Sequence, residues 1–150
     1  FKAMGMQVSI AARPGKQDDL RPSLASLLPN ADVVSLHCPL TEATDKLINA
    51  ETLSLMKPTA FLINTARGGL IDEEALYHAL KNNQIGGAGL DVLSVEPPPF
   101  DHILLKEALP NLLVTPHNAW IGNSARQKLL DSAIDHLSAH LSSCLSAPQG

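Results

Sequence analysis

Residues 61–75 read FLINTARGGLIDEEA, and within this stretch the pattern changes from that of a strand to that of a helix. Residues 61–65 are mostly apolar, with aromatic and β-branched side chains, which predicts a strand. An arginine and two glycines then form a turn, and three carboxylates at 72–74 open a helix, where the helix dipole favours negative charge. We therefore predict a buried strand, a tight turn and a helix that runs to about Asn83.

Four other short apolar runs are bounded by turn residues and separated by helical stretches. They cover Val8 to Ala11, Val33 to His37, Ala88 to Val92 and Leu112 to Thr115. Short apolar strands that alternate with helices are typical of a parallel sheet joined by crossover connections. The sequence thus predicts an α/β fold in the order βαβαβ.

Two more helices are predicted outside this central region. Asp19 offers a cap ahead of Pro22, and leucines follow at helical spacing. A longer amphipathic helix is predicted from Asn123 to about Cys144, and its apolar face needs a partner. The tail, residues 146–150, is expected to fray.

Composition limits the kind of partner that the chain binds. The 150 residues are 45% hydrophobic and 17% charged, which suits one ordinary globular core, and the net charge of -4 provides no basic field for nucleic acid or anionic membrane. The two cysteines, Cys38 and Cys144, belong to no metal-binding cluster, so we expect free thiols, no metal and a reducing, cytoplasmic location. The first residues resemble an interior segment and not a signal peptide. Small-molecule chemistry is the expected function.

Arg67 lies in the turn at the carboxyl end of the predicted strand over 61–65, where open α/β sheets bind ligands. A guanidinium there holds a carboxylate through two parallel hydrogen bonds, and Gly68 and Gly69 let the backbone approach a ligand closely. A plain strand-to-helix turn with a surface arginine explains the same spacing equally well.

Three further polar residues follow the next two predicted strands: Asp91, Glu96 and His117. Taken alone, an acid in such a place often caps a turn, and a single histidine is usually solvated or structural. In one parallel sheet, however, the strand ends face the same crevice, so Arg67, Glu96 and His117 are predicted to meet. A carboxylate beside an imidazole fixes its tautomer and favours its protonated form, which suits a proton donor to a carbonyl oxygen.

At these positions the sequence resembles the D-isomer-specific 2-hydroxyacid dehydrogenases. Three motifs carry the resemblance in the family's order: INTARGGLID at 63–72, GLDV at 89–92 with Glu96-Pro97, and TPH at 115–117. The resemblance extends over nearly the whole chain and implies a Rossmann-like fold. Residues 94–98 and 117–120 look most like those of glycerate dehydrogenases, also called hydroxypyruvate reductases.

The resemblance implies roles for the polar residues. By motif position, Arg67 binds the carboxylate and keto oxygen of the substrate, His117 is the general acid/base, and Glu96 pairs with His117. The implied reaction is hydride transfer between NAD or NADP and a small 2-keto or D-2-hydroxy acid, such as hydroxypyruvate or glyoxylate. Cofactor contacts are expected from Arg13, His37, Cys38, Pro39, Thr65, Ala66, Arg67, Asp91, His117 and Ala119.

The chain departs from the family pattern in lacking the glycine-rich GxGxxG loop and the strand before it. We therefore expect a truncated Rossmann-like parallel sheet with helices on both faces. Residues 1–120 form a partial dinucleotide-binding domain, and residues 121–150 form a helix that returns to a substrate domain absent from this chain. Because the glycine loop supplies most of the pyrophosphate site, the chain alone is expected to be inactive. The intact protein is expected to be a homodimer.

A second departure concerns the choice of cofactor. NAD-preferring members place an acid after the strand that corresponds to Val8 to Ala11, whereas Ala12 and Arg13 stand here. This exchange favours NADP. An alternative to the enzyme is a non-catalytic module that senses a dinucleotide, as dehydrogenase-like corepressors do.

Overall fold

The computed structural model describes residues 2–16 and 18–145, with side chains described as far as residue 142. Its centre is a parallel sheet of four strands in the order β1-β2-β3-β4. The strands are β1 (Val33–Leu36), β2 (Phe61–Asn64), β3 (Gly87–Leu90) and β4 (Leu112–Val114). Each strand pairs in register with the next, so all four carboxyl ends lie along one edge of the sheet. These four predicted strands and the parallel, Rossmann-like α/β class are confirmed.

The described residues form four α-helices: α1 (Leu24–Leu27), α2 (Ala50–Ser54), α3 (Glu73–Lys81) and α4 (Asn123–Leu145). Asp72 caps α3 by accepting the N–H of Ala75 at 3.2 Å. Asn49 and Thr52 form a capping box at the start of α2. Strand β2, the turn after it and helix α3 therefore follow the order predicted from residues 61–75.

The prediction of a strand at Val8 to Ala11 is wrong. In the described part of the chain this segment pairs with no strand, and the side chains of Val8 and Ile10 are exposed. A strand needs a neighbour for its backbone groups and a surface on which to bury alternate side chains, and neither is present here. Apolar alternation alone therefore misled the prediction.

The N-terminal cap of the first helix was also predicted in the wrong place. Ser23, and not Asp19, caps α1, because its hydroxyl accepts the N–H of Ser26. The carboxylate of Asp19 instead accepts the backbone N–H of Arg13 at 2.9 Å and binds the guanidinium of Arg21. Asp19 therefore forms a charge-assisted hydrogen bond with Arg21 and does not cap the helix.

The core lies on one side of the sheet, where alternate strand residues such as Leu36 and Leu62 pack with the apolar face of α3. On the opposite side Val33, Phe61 and Leu113 are each half exposed or more. The two-residue period of a strand accounts for this division. One face of the sheet is thus left largely open to solvent.

The chain divides into two compact units, and the boundary falls between Pro116 and His117. The sheet belongs to the first unit. The described part of the second unit begins with a turn and continues as α4, whose bounds confirm the predicted helix. Its apolar residues are exposed; they are Leu129, Leu130, Ile134, Leu137 and Leu141.

No helix in the described residues has the length and apolar composition needed to cross a membrane. The predicted fraying of residues 146–150 lies outside the described residues.

Candidate active site

Asn64 shapes the turn that follows β2. Its side chain is fully buried, its Nδ2 donates to the carbonyl of Arg67 at 2.9 Å, and its Oδ1 accepts the N–H of Ala66 at 3.0 Å. Asn64 lies within the motif at residues 63–72, but the sequence alone did not predict a role for it. The two bonds fold the chain so that Thr65 and Arg67 are exposed at the sheet edge.

Arg67 itself has extended backbone and an exposed side chain. Its Nη1 donates to the carbonyl of Ala66 at 2.6 Å, which bends the guanidinium back along its own turn. A guanidinium carries five N–H donors in a planar fork that matches a carboxylate. The position therefore suits capture of a small anionic substrate.

Gly68 brings the Arg67 turn into direct contact with the turn after β3. A β-carbon at this position would lie 2.0 Å from the carbonyl carbon of Leu93 and 2.3 Å from the nitrogen of Ser94. Only a glycine permits two backbones to approach this closely. Arg67 and Glu96, which sequence reasoning assigned to one site, therefore lie in turns that touch.

Glu96 ends the second of these turns. Its Oε1 accepts the N–H of Leu93 at 2.9 Å, so the carboxylate closes the turn on itself, and a cis peptide bond joins it to Pro97. The residue is exposed. Its carboxylate thus lies in the first unit, at the same sheet edge as Arg67.

Asp91 links the carboxyl ends of three strands. Its carboxylate is 4% exposed and accepts the hydroxyl of Thr115 at 2.5 Å, while its N–H donates to the carbonyl of Asn64 at 2.9 Å. The N–H of Thr115 in turn donates to Leu90 at 2.9 Å. These bonds hold the carboxyl group of Asp91 in a fixed position at the carboxyl edge of the sheet.

The segment after β1 supplies the other candidate contacts for a cofactor. The ring of His37 is exposed, and its Nε2 lies 2.8 Å from the hydroxyl of Ser35. The carbonyl of Pro39 accepts the hydroxyl of Thr44 at 2.7 Å. Cys38 is half-buried against the core, and burial raises the pKa of its thiol. Cys38 is therefore a neutral free thiol; the side chain of Cys144 lies outside the described residues.

His117 opens the second unit in an unusual backbone conformation. Its φ of 51° lies in the left-handed region, which a side chain disfavours, and such strain is concentrated at functional sites. The indole N–H of Trp120 donates to the carbonyl of His117 at 2.9 Å, and Ala119 lies exposed in the same turn. The predicted meeting of His117 with Arg67 and Glu96 stays a prediction.

A charged cluster lies near the amino terminus, around the carboxylate of Asp19. Asp19 accepts from the backbone of Arg13, its carboxylate lies 3.6 Å from the Nε of Arg13, and Arg21 binds it at 2.5 Å. The bond to Arg21 is the main reason why the pKa of the Asp19 carboxyl lies well below its usual range. The sequence analysis placed Asp19 at a helix cap and missed its contact with Arg13, because the two residues are six positions apart and meet through a loop.

No group of three or more potential ligands is placed to hold a metal ion among the residues that the structure describes. The strand ends offer the exposed guanidinium of Arg67, which suits an anionic ligand, and the buried carboxyl group of Asp91. An open parallel sheet with polar groups at its carboxyl edge is typical of the Rossmann-like class of nucleotide-binding domain.

Comparison with known proteins identifies the family. Residues 1–119 match the family described as D-isomer specific 2-hydroxyacid dehydrogenase, NAD binding domain. The chain belongs to this family. It is 50% identical over 138 residues to a glycerate dehydrogenase of Methylorubrum extorquens, an alignment that covers 92% of this chain and 43% of that relative.

Solved structures agree with this assignment. An acyclic imino acid reductase in complex with NADPH and D-Arg aligns with a TM-score of 0.81 and 36% identity over 95% of this chain and 45% of its own. A D-lactate dehydrogenase from Aquifex aeolicus, complexed with NAD and lactic acid, aligns with a TM-score of 0.77 and 32% identity over 96% and 49%. The chain thus spans less than half the length of each relative.

Proposed function

We propose that this chain supplies the substrate-binding arginine and the acid/base pair of an NAD(P)-dependent D-2-hydroxyacid dehydrogenase that reduces a small 2-keto acid. Hydroxypyruvate and glyoxylate are the proposed substrates. The observation that carries the proposal is the contact at Gly68, where the turns bearing Arg67 and Glu96 meet at the carboxyl edge of the sheet. The family assignment and the similarity to a glycerate dehydrogenase support it.

Each catalytic group has a distinct role in this proposal. The guanidinium of Arg67 binds the carboxylate of the substrate and orients the keto oxygen. His117 donates a proton to that oxygen as it becomes a hydroxyl, and Glu96 accepts from the imidazole and holds its tautomer. The reduced nicotinamide supplies the hydride when it is bound.

The proposed cofactor site follows the strand ends. Two strands that pair in register, β1 and β2, end side by side. Thr65 and Ala66 directly follow β2, and residues 37–39 directly follow β1. We propose that they line the nicotinamide and its ribose, with Asp91 beside the ring and with Arg67, His117 and Ala119 contributing. Arg13 would meet the adenosine end, because it stands by motif position where NAD-preferring members of the family carry an acid.

We propose further that the chain acts as part of a longer polypeptide. Residues 1–120 would be part of the dinucleotide-binding domain, and residues 121–150 would pack on a substrate domain. The sequence has no GxGxxG loop, whose backbone N–H groups bind a pyrophosphate. We therefore expect this chain alone to bind dinucleotide weakly and to show no turnover.

The test compares this chain with a complete dehydrogenase that contains it. Oxidation of NADH and NADPH is followed at 340 nm with hydroxypyruvate, glyoxylate and pyruvate. His117→Ala in the complete enzyme should lower kcat by about 10²- to 10⁴-fold, the range expected for loss of a general acid. His78→Ala, which removes an exposed histidine from α3, is the matched control and should leave kcat unchanged.

Two results would contradict the proposal. A complete protein that binds dinucleotide but is inert with every 2-keto acid would favour the corepressor-like sensor. Full activity after His117→Ala would remove this histidine from the mechanism.

A further inference from the structure

Glu73, the first residue of α3, forms a cluster that the proposed chemistry does not use. Its side chain is 12% exposed. Its Oε1 accepts the backbone N–H of Ser94 at 2.8 Å, and its Oε2 accepts the hydroxyl of Ser94 at 2.5 Å. The Nε2 of His102 lies 3.2 Å from the same Oε2. Three donors thus converge on one carboxylate.

The backbone of Leu104 assigns the tautomer of His102. This imidazole is buried, and its Nδ1 accepts the N–H of Leu104 at 3.3 Å. The ring proton therefore lies on Nε2 and points at Glu73. Because a carboxylate accepts only, it satisfies every donor that faces it. An amide at residue 73 would instead direct its own N–H groups at another donor.

The cluster acts on the turn that carries Glu96. Ser94, which Glu73 holds by two bonds, follows Leu93, whose N–H donates to Glu96. On its other side the same turn rests on Gly68, one residue from Arg67. The turn is thus held between α3 and the Arg67 loop.

We propose that Glu73 is a positioning residue: oriented by His102, it holds Ser94 and so fixes the turn of Glu96 relative to Arg67. The inference rests on the proposed function, in which Glu96 orients the proton donor. The carboxylate of Glu73 is mostly buried and is occupied by Ser94 and His102, so we assign it no contact with the substrate. Its effect is on the geometry of the acid/base pair, and small displacements at such a pair are costly.

The test is made in the complete dehydrogenase with Glu73→Gln. At saturating substrate, kcat should fall by roughly 10- to 100-fold while KM for the cofactor stays within about twofold. A purely structural role would lower the amount of folded enzyme and leave both constants of the folded fraction unchanged. Glu74→Gln, which removes the same charge from the exposed neighbouring residue, is the matched control and should behave as wild type.

Hydrogen exchange gives a readout that does not depend on activity. In Glu73→Gln the amides of Ser94 and Leu93 should exchange at least about tenfold faster, because their turn loses its anchor, and Glu74→Gln should leave them unchanged. Ser94→Ala, which removes only the hydroxyl bond, should give a smaller loss of kcat. It replaces Glu73→Gln if that variant does not fold.

The outcomes separate this inference from the proposed function. Unchanged kcat in Glu73→Gln and Ser94→Ala would overturn it while the dehydrogenase assignment stands. If the complete protein is inert with all 2-keto acids, the proposed function fails. The exchange rates then decide whether Glu73 anchors the turn, and unchanged protection overturns that as well.

Discussion

At the scale of single residues, Gly68 offers the sharpest test of the site. Alanine there would place a methyl group 2.0 Å from the backbone carbonyl carbon of Leu93, so one of the two backbones would have to shift. We expect Gly68→Ala to lower the free energy of unfolding by roughly 1–3 kcal/mol and to lower kcat/KM in the complete enzyme. Urea unfolding and steady-state kinetics measure the two effects.

Gly69→Ala is the matched control for this substitution. The new β-carbon would lie 2.8 Å from a terminal methyl group of Leu40, a flexible side chain that rotates away. Its effect should therefore be much smaller. Equal losses at the two glycines would show that the contact between the turns is not what makes Gly68 necessary.

Arg13 is the residue that we expect to decide between NADP and NAD. In the complete enzyme Arg13→Ala should raise KM for NADPH by about tenfold and change KM for NADH little, because only NADPH carries the 2'-phosphate. Asp19→Asn, which removes a negative charge beside Arg13, should act in the opposite direction.

Lys16→Ala removes an equal charge from the same exposed loop and serves as the control for Arg13→Ala. A wild-type enzyme that strongly prefers NADH, with no response to Arg13→Ala, would contradict the preference for NADP.

At the scale of elements, the start of α3 depends on the charge of Asp72. Its carboxylate binds Lys46 at 3.0 Å and caps the helix, and these contacts lower the pKa of the Asp72 carboxyl. A folded-state pKa below the unfolded one stabilises the fold above the unfolded value, near pH 4, and this contribution is lost as pH falls through the folded pKa. Wild type should therefore lose stability in acid.

Two substitutions separate the charge from the cap. Asp72→Asn keeps the capping oxygen, so its deficit in unfolding free energy should be present at pH 7 and should shrink below about pH 4. Asp72→Ala also loses the cap and should cost roughly 1 kcal/mol more. Urea unfolding at several pH values measures this, and a deficit of Asp72→Asn that does not change with pH would contradict it.

At the scale of the whole molecule, exposed apolar surface predicts association. The leucines of α4 lie exposed along the helix, and surfaces of this kind usually meet a partner. We expect this chain alone to self-associate through α4. Leu137→Glu should weaken association in light scattering, whereas Ser138→Glu, with the same added charge, should not.

A monodisperse wild-type monomer whose α4 amides are protected from exchange would contradict this prediction. The intact enzyme is proposed to be a homodimer. Within it the same helix face would be covered by the substrate domain.

The residues themselves determined the parallel sheet, α3, α4 and the family, because short apolar strands, a capped acidic turn and the motifs around Arg67, Asp91 and His117 are local signals. Tertiary structure decided what depends on distant partners. Residues 8–11 have strand periodicity but no pairing neighbour in the described part of the chain. Glu73 reads as an acid favoured by the helix dipole, yet Ser94 and His102, 21 and 29 positions later in the sequence, make it an anchor. A strand needs a neighbouring strand, and a buried carboxylate needs hydrogen-bond donors. The spacing of apolar residues along the sequence does not show which distant residues supply them.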